Sequence, residues 1–376
     1  MHISSNFDSG NITVLEANDP SNIRLAINKD NKSDFFQWFH FRVSNVRNKT
    51  LHMHIENAGD AAYADGWPDY QACFSYDREN WMRTETSYKD GVLSIHHIAE
   101  VDTVYFAYFA PYSMELHHDL IAQLGTSPLT NIHVLGHTLD GQDLDLVEIS
   151  DGGETRLNLW LTARQHPGET MAEWWMEGFL ERLLDENDPV SRTLLGKARF
   201  FAIPNMNPDG SRRGHLRTNA AGANLNREWH APTMERSPEV KLVLDEMDRR
   251  GVDFHFDIHG DEALPYNFIA GFEGIPNITD HQLDLLARFK ASYAAISPDF
   301  QTEKGYPVSK PGTADLSMCT NQVANRFGCL AMTLEMPFKD NANLPDAMTG
   351  WSPERCHNLG RSALDVIHAL IDDLRP

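Results

Sequence analysis

The passage from Leu157 to Met171, LNLWLTARQHPGETM, constrains this chain more than any other. Leu157 to Ala163 reads as a buried strand, the strand stops at the turn His166-Pro167-Gly168-Glu169, and an apolar-periodic helix follows at once. A strand running straight into a helix points to an α/β arrangement, where ligands gather at the C-terminal ends of strands. An imidazole and a carboxylate three residues apart stand at that position here. Nitrogen and oxygen donors together suit zinc. The pair alone is short enough to arise by chance, so the remaining chain decides its meaning.

At 376 residues the chain exceeds the usual size of one core, which predicts two domains. From about Asn11 to Tyr112 the pattern is almost wholly strand-like. Residues 23–27, 35–43, 51–55 and 104–109 are rich in aromatic and β-branched side chains. His52 and His54 alternate with Leu51, Met53 and Ile55, so one face is wet and one buried. Turn residues at 57–60 and 89–91 separate the runs. Roughly six or seven short strands without helices predict a β-sandwich, whose histidines are solvated or satisfied rather than ligands.

The pattern changes at Pro111-Tyr112-Ser113. Ser113 can cap a helix with Met114, His117, Ile121 and Leu124 on one face. A hairpin over 132–137 and 144–149 and a loop at Asp151-Gly152-Gly153-Glu154 lead to the opening passage. Strands and helices then alternate: a helix after Glu169, a strand at 198–203, a Gly/Asn-rich loop at 204–223, a helix near 238–249 and a strand at 252–258. Further strands are expected at 266–269 and 329–335, and a closing helix carries Leu359, Ala363, Val366, Leu370 and Leu374 as a stripe.

Composition excludes several functions. The net charge of −22 repels phosphate backbones and anionic lipid, so nucleic acid and membrane surfaces are not expected partners. The polar N-terminus shows no signal peptide, and no apolar run approaches a bilayer span. Cys73, Cys319, Cys329 and Cys356 form no C-x-x-C pair, which reads as reduced thiols in a cytoplasmic protein.

A zinc hydrolase needs three protein ligands and an open position. His166 and Glu169 supply two, and His259, directly after the strand at 252–258, is the best third. Asp257 or Asp261 could orient its second nitrogen. Asn205-Met206-Asn207-Pro208-Asp209-Gly210 is by itself a well-made turn. Downstream of Arg217, the pair Asn226-Arg227 suits a substrate carboxylate, onto which a guanidinium forks; otherwise the arginines here belong to a solvated loop. Glu335 ends an apolar strand, where a carboxylate is costly to bury unless paired. Near zinc it could move protons; elsewhere it would be structural.

The ordered set is more specific than its parts. HPGE at 166–169, NPDG at 207–210, Arg217, Asn226-Arg227, His259 and TLE at 333–335 closely resemble the zinc metallocarboxypeptidases of the carboxypeptidase A superfamily. The resemblance is to the cytosolic carboxypeptidase branch, which includes tubulin-deglutamylating enzymes. The segment Tyr105-Phe106-Ala107-Tyr108-Phe109-Ala110-Pro111-Tyr112 is similar to the end of that branch's N-terminal domain, and Ser309-Lys310-Pro311-Gly312-Thr313 to its loop before the last catalytic strand.

That resemblance implies a twisted mixed β-sheet flanked by helices, an α/β catalytic domain over 115–376, preceded by an all-β sandwich over 1–114. It implies one zinc per chain on His166, Glu169 and His259, with Glu335 as general base and acid and Arg217 stabilising the oxyanion. Asn226 and Arg227 would grip the terminal carboxylate of a peptide or protein, and Lys310 is the carry-over for an acidic side chain. The substrate-capping tyrosine of digestive relatives has no confident match; Tyr306 is a nearby candidate outside the assigned site. An amidohydrolase of N-acyl amino acids and a non-catalytic carboxylate-binding module remain alternatives. Substrate contact, homo-oligomer formation and narrowing of access remain open as jobs of the β-domain.

Overall fold

The computed structural model describes residues 1–153 and 156–375; Glu154 of the expected loop lies outside the described residues. The first 107 residues carry ten strands: β1 His2–Ser4, β2 Thr13–Glu16, β3 Ile23–Ala26, β4 His40–Ser44, β5 Thr50–Ile55, β6 Cys73–Ser75, β7 Met82–Arg83, β8 Thr86–Lys89, β9 Val92–Ile98 and β10 Thr103–Ala107. They form two five-stranded sheets, ordered β1-β4-β10-β6-β7 and β2-β3-β5-β9-β8. Strands such as β1, β6 and β7, at three, three and two residues, are too short for alternation to show in sequence, so roughly six or seven became ten. Where a strand is longer the pattern holds: Leu51, Met53 and Ile55 of β5 are buried while His52 and His54 are only half-buried. β4 starts at His40, later than expected, because Phe36 to Phe39 are all buried and carry no period-2 signal.

Helix α1, Met114–Leu124, follows, with Ser113 Oγ accepting from the Leu116 amide at its N-terminus. The α/β part then contains β11 Thr130–His137, β12 Asp143–Ile149, β13 Leu157–Ala163, α2 Met171–Leu183, α3 Pro189–Leu195, β14 Ala198–Ile203, α4 Pro208–Arg213 and α5 Pro238–Arg250. After these come β15 Phe254–Asp261, β16 Phe268–Ala270, α6 Asp280–Ile296, α7 Cys319–Phe327, β17 Leu330–Pro337 and α8 Pro353–Leu370. Their seven-stranded sheet is mixed, in the order β11-β12-β14-β13-β15-β17-β16. Strands β14, β13, β15 and β17 run parallel, and both edges are antiparallel. From β13 the chain goes first to β14 on one side and then to β15 on the other. The C-terminal end of β13 is therefore a switch point, the place where open sheets leave a crevice.

Two expectations need correction. His259 is not beyond its strand: Gly260 and Asp261 still pair with Met336 and Pro337, so His259 sits inside β15 and directly opposite Glu335 of β17. The segment at 204–223 is not all loop, because Asn207 Oδ1 accepts from the Gly210 amide and starts α4. Helices α3, α6 and α7 are additional.

Helix α2 buries Trp175, Met176, Phe179 and Leu180 and lies against α8. Two glycines permit the contact: a Cβ on Gly360 would stand 2.2 Å from the Trp175 carbonyl, and one on Gly178 2.5 Å from the His357 backbone. The four cysteines are buried and unpaired. Among the described residues no helix is long and apolar enough to cross a membrane.

Candidate active site

The turn after β13 is held from beneath by a buried arginine. Arg164, at φ 58° in the left-handed region, donates to the carbonyls of Pro167 at 3.0 Å and Tyr112 at 2.7 Å and pairs with Glu173 at 2.7 Å. Gly168 is required by close approach, since a Cβ there would meet the Leu216 carbonyl at 2.9 Å. This braces His166 and Glu169 against β15.

His166 and His259 present Nδ1 to Glu169, at 2.7 Å from Oε1 and 2.8 Å from Oε2, and the two Nδ1 atoms are 3.2 Å apart. Their other nitrogens are engaged: Nε2 of His166 with Asn224 Oδ1 at 3.0 Å, Nε2 of His259 with Asp257 Oδ2 at 2.9 Å. With protons on both Nε2 atoms, two ring lone pairs and a carboxylate face one another in a buried space. Three such donors repel unless a cation lies among them. Burial and the nearby Arg217 push His166 down to about 4, keeping it a neutral donor. His259 is driven well above the usual imidazole range, burial being outweighed by Asp257 and Glu169. Two carboxylates on one ring call for positive charge, which a divalent ion supplies. Among the described residues this is the one group of three such side chains able to hold a metal, its ligand atoms all within 4.8 Å. The donor set fits zinc.

Above the cluster is a cavity of about 380 Å³ lined by His166, Glu169, Glu335, Arg217, Asn226 and Arg227. Glu335 is buried and its Oε2 has no hydrogen-bond partner among the described residues. Burial, with Glu169, Asp261 and Glu262 around it, raises its carboxyl well above the ordinary range despite His259. A carboxyl that readily takes up a proton and has a free oxygen is suited to general base and acid work. Asn226 Oδ1 accepts from the Cys319 amide at 2.8 Å, which directs Nδ2 elsewhere. Arg227 donates to the Asn226 carbonyl at 2.6 Å, and its nearest carboxylate, Asp315, is 4.0 Å away. Arg217 makes no ion pair among the described residues, and its Nε has no hydrogen-bond partner. Two weakly partnered guanidinium groups in one cavity suit an anionic ligand.

Seven of the eight residues expected from sequence thus meet here. The eighth, Lys310, lies exposed on a loop and outside the cavity lining. The cavity also includes residues that the sequence reading left out of the assigned site. Tyr306 forms part of the wall, its hydroxyl donating to Asp261 Oδ2; Asp261 is thereby occupied, and Asp257 alone orients His259. Tyr63, from the β-region, and Glu262, whose burial pushes it up to about 8, also line it. No local signal marks Tyr63, which lies 103 positions before His166 in the chain.

Comparison with known proteins follows the same outline. A family profile described as zinc carboxypeptidase matches residues 118–350, and one described as cytosolic carboxypeptidase N-terminal domain matches residues 3–109. An uncharacterized protein of Zymomonas mobilis is 55% identical over 374 residues, covering 100% of this chain and 97% of that protein. Cytosolic carboxypeptidase 1 of Mus musculus is 28% identical over 290 residues, 64% of this chain but only 23% of that relative's length. A metallo-carboxypeptidase from Pseudomonas aeruginosa, solved in complex with (2-guanidinoethylmercapto)succinic acid, superimposes with a TM-score of 0.98 at 45% identity over 100% of both chains.

Proposed function

The chain belongs to the zinc carboxypeptidase family, and we propose that it removes the C-terminal residue of a peptide or protein with one zinc held by His166, Glu169 and His259. The observation that carries this reading is the cluster of two Nδ1 atoms and one carboxylate facing each other beneath the two weakly partnered guanidinium groups. Zinc bound there supplies Lewis acidity and lowers the pKa of water.

The remaining work falls to the chain's own side chains. Arg227, with Asn226 beside it, receives the substrate's terminal carboxylate and so selects the last residue of a chain. Arg217 directs N–H groups at the carbonyl oxygen that becomes an oxyanion. Glu335 accepts a proton from the attacking water and returns it to the departing amine. Tyr306 lies on the same wall and can close over the bound residue. The division of labour follows two domains, 1–114 and 115–376, with the first narrowing access through Tyr63. The buried unpaired cysteines suit a cytoplasmic setting.

For side-chain preference we keep the acidic residue that the family resemblance implies, with Lys310 as its counter-charge on the exposed loop that also carries Tyr306, although Lys310 stands outside the cavity lining. Asp261 and Glu262 line the same cavity and would favour a cation instead. A panel of peptides ending in Glu, Arg or Phe, run beside N-acyl amino acids on the zinc-loaded chain, tests both levels. Peptide turnover highest for Glu supports the reading; Arg first rejects the acidic preference, and activity confined to N-acyl amino acids rejects the peptidase.

A further inference from the structure

The β-region does more than border the cavity. Asp30, in the connection between β3 and β4 and only 3% exposed, points its carboxylate into the loop that carries Arg217. Oδ1 accepts from the Leu216 amide at 2.7 Å; Oδ2 accepts from the Arg217 amide at 2.8 Å, the Thr218 amide at 2.9 Å and the Thr218 hydroxyl at 3.1 Å. Three successive amides on one buried carboxylate fix the backbone on both sides of Arg217. The same loop is tied to the metal turn, since the Leu216 carbonyl accepts from the Gly168 amide at 2.9 Å.

The side chain is held by the same region of the chain. The Arg217 guanidinium carbon lies 5.6 Å from the Phe35 ring centre and 5.3 Å from that of Tyr63. Aromatic faces attract the cation without occupying its N–H groups. A carboxylate partner would have fixed the group too, but would have neutralised the charge the reaction needs.

We infer that Asp30, Phe35 and Tyr63 are positioning residues that set the orientation in which Arg217 meets the developing oxyanion. The inference rests on the role of Arg217 given above. It explains why this catalytic domain is joined to a β-region: one residue of its oxyanion machinery is aimed from the other side of the junction. Asp30→Asn keeps the shape but turns an NH₂ toward an amide N–H that the carboxylate accepted, so the loop relaxes.

The test is a double-mutant cycle on the full zinc-loaded chain with a peptide substrate. Asp30→Asn and Phe35→Leu are each made alone and combined with Arg217→Ala. Either single change lowers kcat by about 10- to 100-fold with KM within about threefold, at unchanged zinc content. Each double variant is no more than about twofold slower than Arg217→Ala alone, because both act through the same guanidinium. A phosphonate peptide that mimics the tetrahedral state loses affinity by the same factor as kcat/KM, whereas a succinate-type product analogue does not. Additive losses in the cycle, or equal weakening of both ligands, overturn the positioning role while leaving Arg217 in place. Wild-type turnover in Arg217→Ala removes the underlying reading instead, and the positioning role falls with it. If Asp30→Asn fails to fold, Phe35→Leu carries the same cycle.

Discussion

Asp257 Oδ2 accepts a hydrogen bond from Nε2 of His259 at 2.9 Å, and this contact decides which nitrogen of His259 faces Glu169. Asp257 is itself fixed by Thr162 Oγ1 at 2.7 Å and Gln165 Nε2 at 2.6 Å, so the ring is anchored through the β13–β15 pairing. Removing it with Asp257→Ala frees the ring to rotate and take the other tautomer. Zinc affinity is expected to fall about 10- to 100-fold. Competition with a chromophoric chelator measures it, and unchanged affinity would show that Asp257 does not orient the ligand.

Glu335→Gln preserves size and removes the proton acceptor. Because Glu335 Oε2 has no hydrogen-bond partner among the described residues, the change should leave zinc content near one per chain. Turnover is expected to drop by about 100- to 10,000-fold. Metal analysis beside steady-state kinetics checks it; an active variant places the base elsewhere.

Arg227→Ala should separate substrates by their ends. A charge-assisted hydrogen bond to a carboxylate contributes about 1.5–3 kcal/mol, or roughly 10- to 150-fold. KM for peptides with a free C-terminus should rise by that factor, while the weak cleavage of C-terminally amidated analogues should change little. Equal effects on both classes would reject the carboxylate clamp.

Gly360→Ala tests the contact of α2 with α8. In an open helix the change would stabilise by up to about 1 kcal/mol, through helix propensity. Here the new Cβ would stand 2.2 Å from the Trp175 carbonyl, so the helices must separate. Destabilisation of about 1–3 kcal/mol is expected from overpacking, seen as a lower urea midpoint. A midpoint at or above wild type would mean that the helices part without cost.

His117 couples stability to pH. Its Nδ1 lies 2.6 Å from Glu173 and its Nε2 3.5 Å from Asp145, while Arg164 holds the other oxygen of Glu173. Burial disfavours the charged ring, but Glu173 and Asp145 outweigh it and raise the group to about 9. A folded value above the unfolded one of about 6.5 means the contribution is complete below that pH and disappears as pH rises through about 9. Stability should therefore fall by about 1–3 kcal/mol over that interval, and His117→Gln should flatten the slope. Parallel stability–pH curves for the two proteins would exclude the linkage.

Much of the catalytic sheet was legible because its central strands are long, although the 17-residue α6 was not foreseen. Leu157–Ala163 forms β13 as read, and α2 follows the turn at once. The same is true of α1 with its Ser113 cap and of the hairpin β11–β12. Strands of two or three residues in the β-region left no period to detect, and α4 was masked by the turn-forming residues that cap it. At the site, the side chains proposed as ligands and as acid–base group carried recognisable chemistry in order along the chain. Tyr63, Asp30 and Asn224 did not, because a tyrosine, an aspartate and an asparagine in irregular segments look alike wherever they point.

By itself, the order of side chains determined the class of chemistry: imidazoles and carboxylates that suit zinc, guanidinium groups that suit a carboxylate, and an α/β frame to carry them. Covalent connectivity fixes those identities and spacings. Only the tertiary structure decided that His259 stands inside β15 opposite Glu335, that Asp257 and not Asp261 holds its second nitrogen, and that Asp30 reaches Arg217. Each of these depends on strand register or on packing between segments 45 or more positions apart. Register and packing are set by the sum of many weak burial and hydrogen-bond energies over the whole chain, and no short stretch of sequence contains that sum.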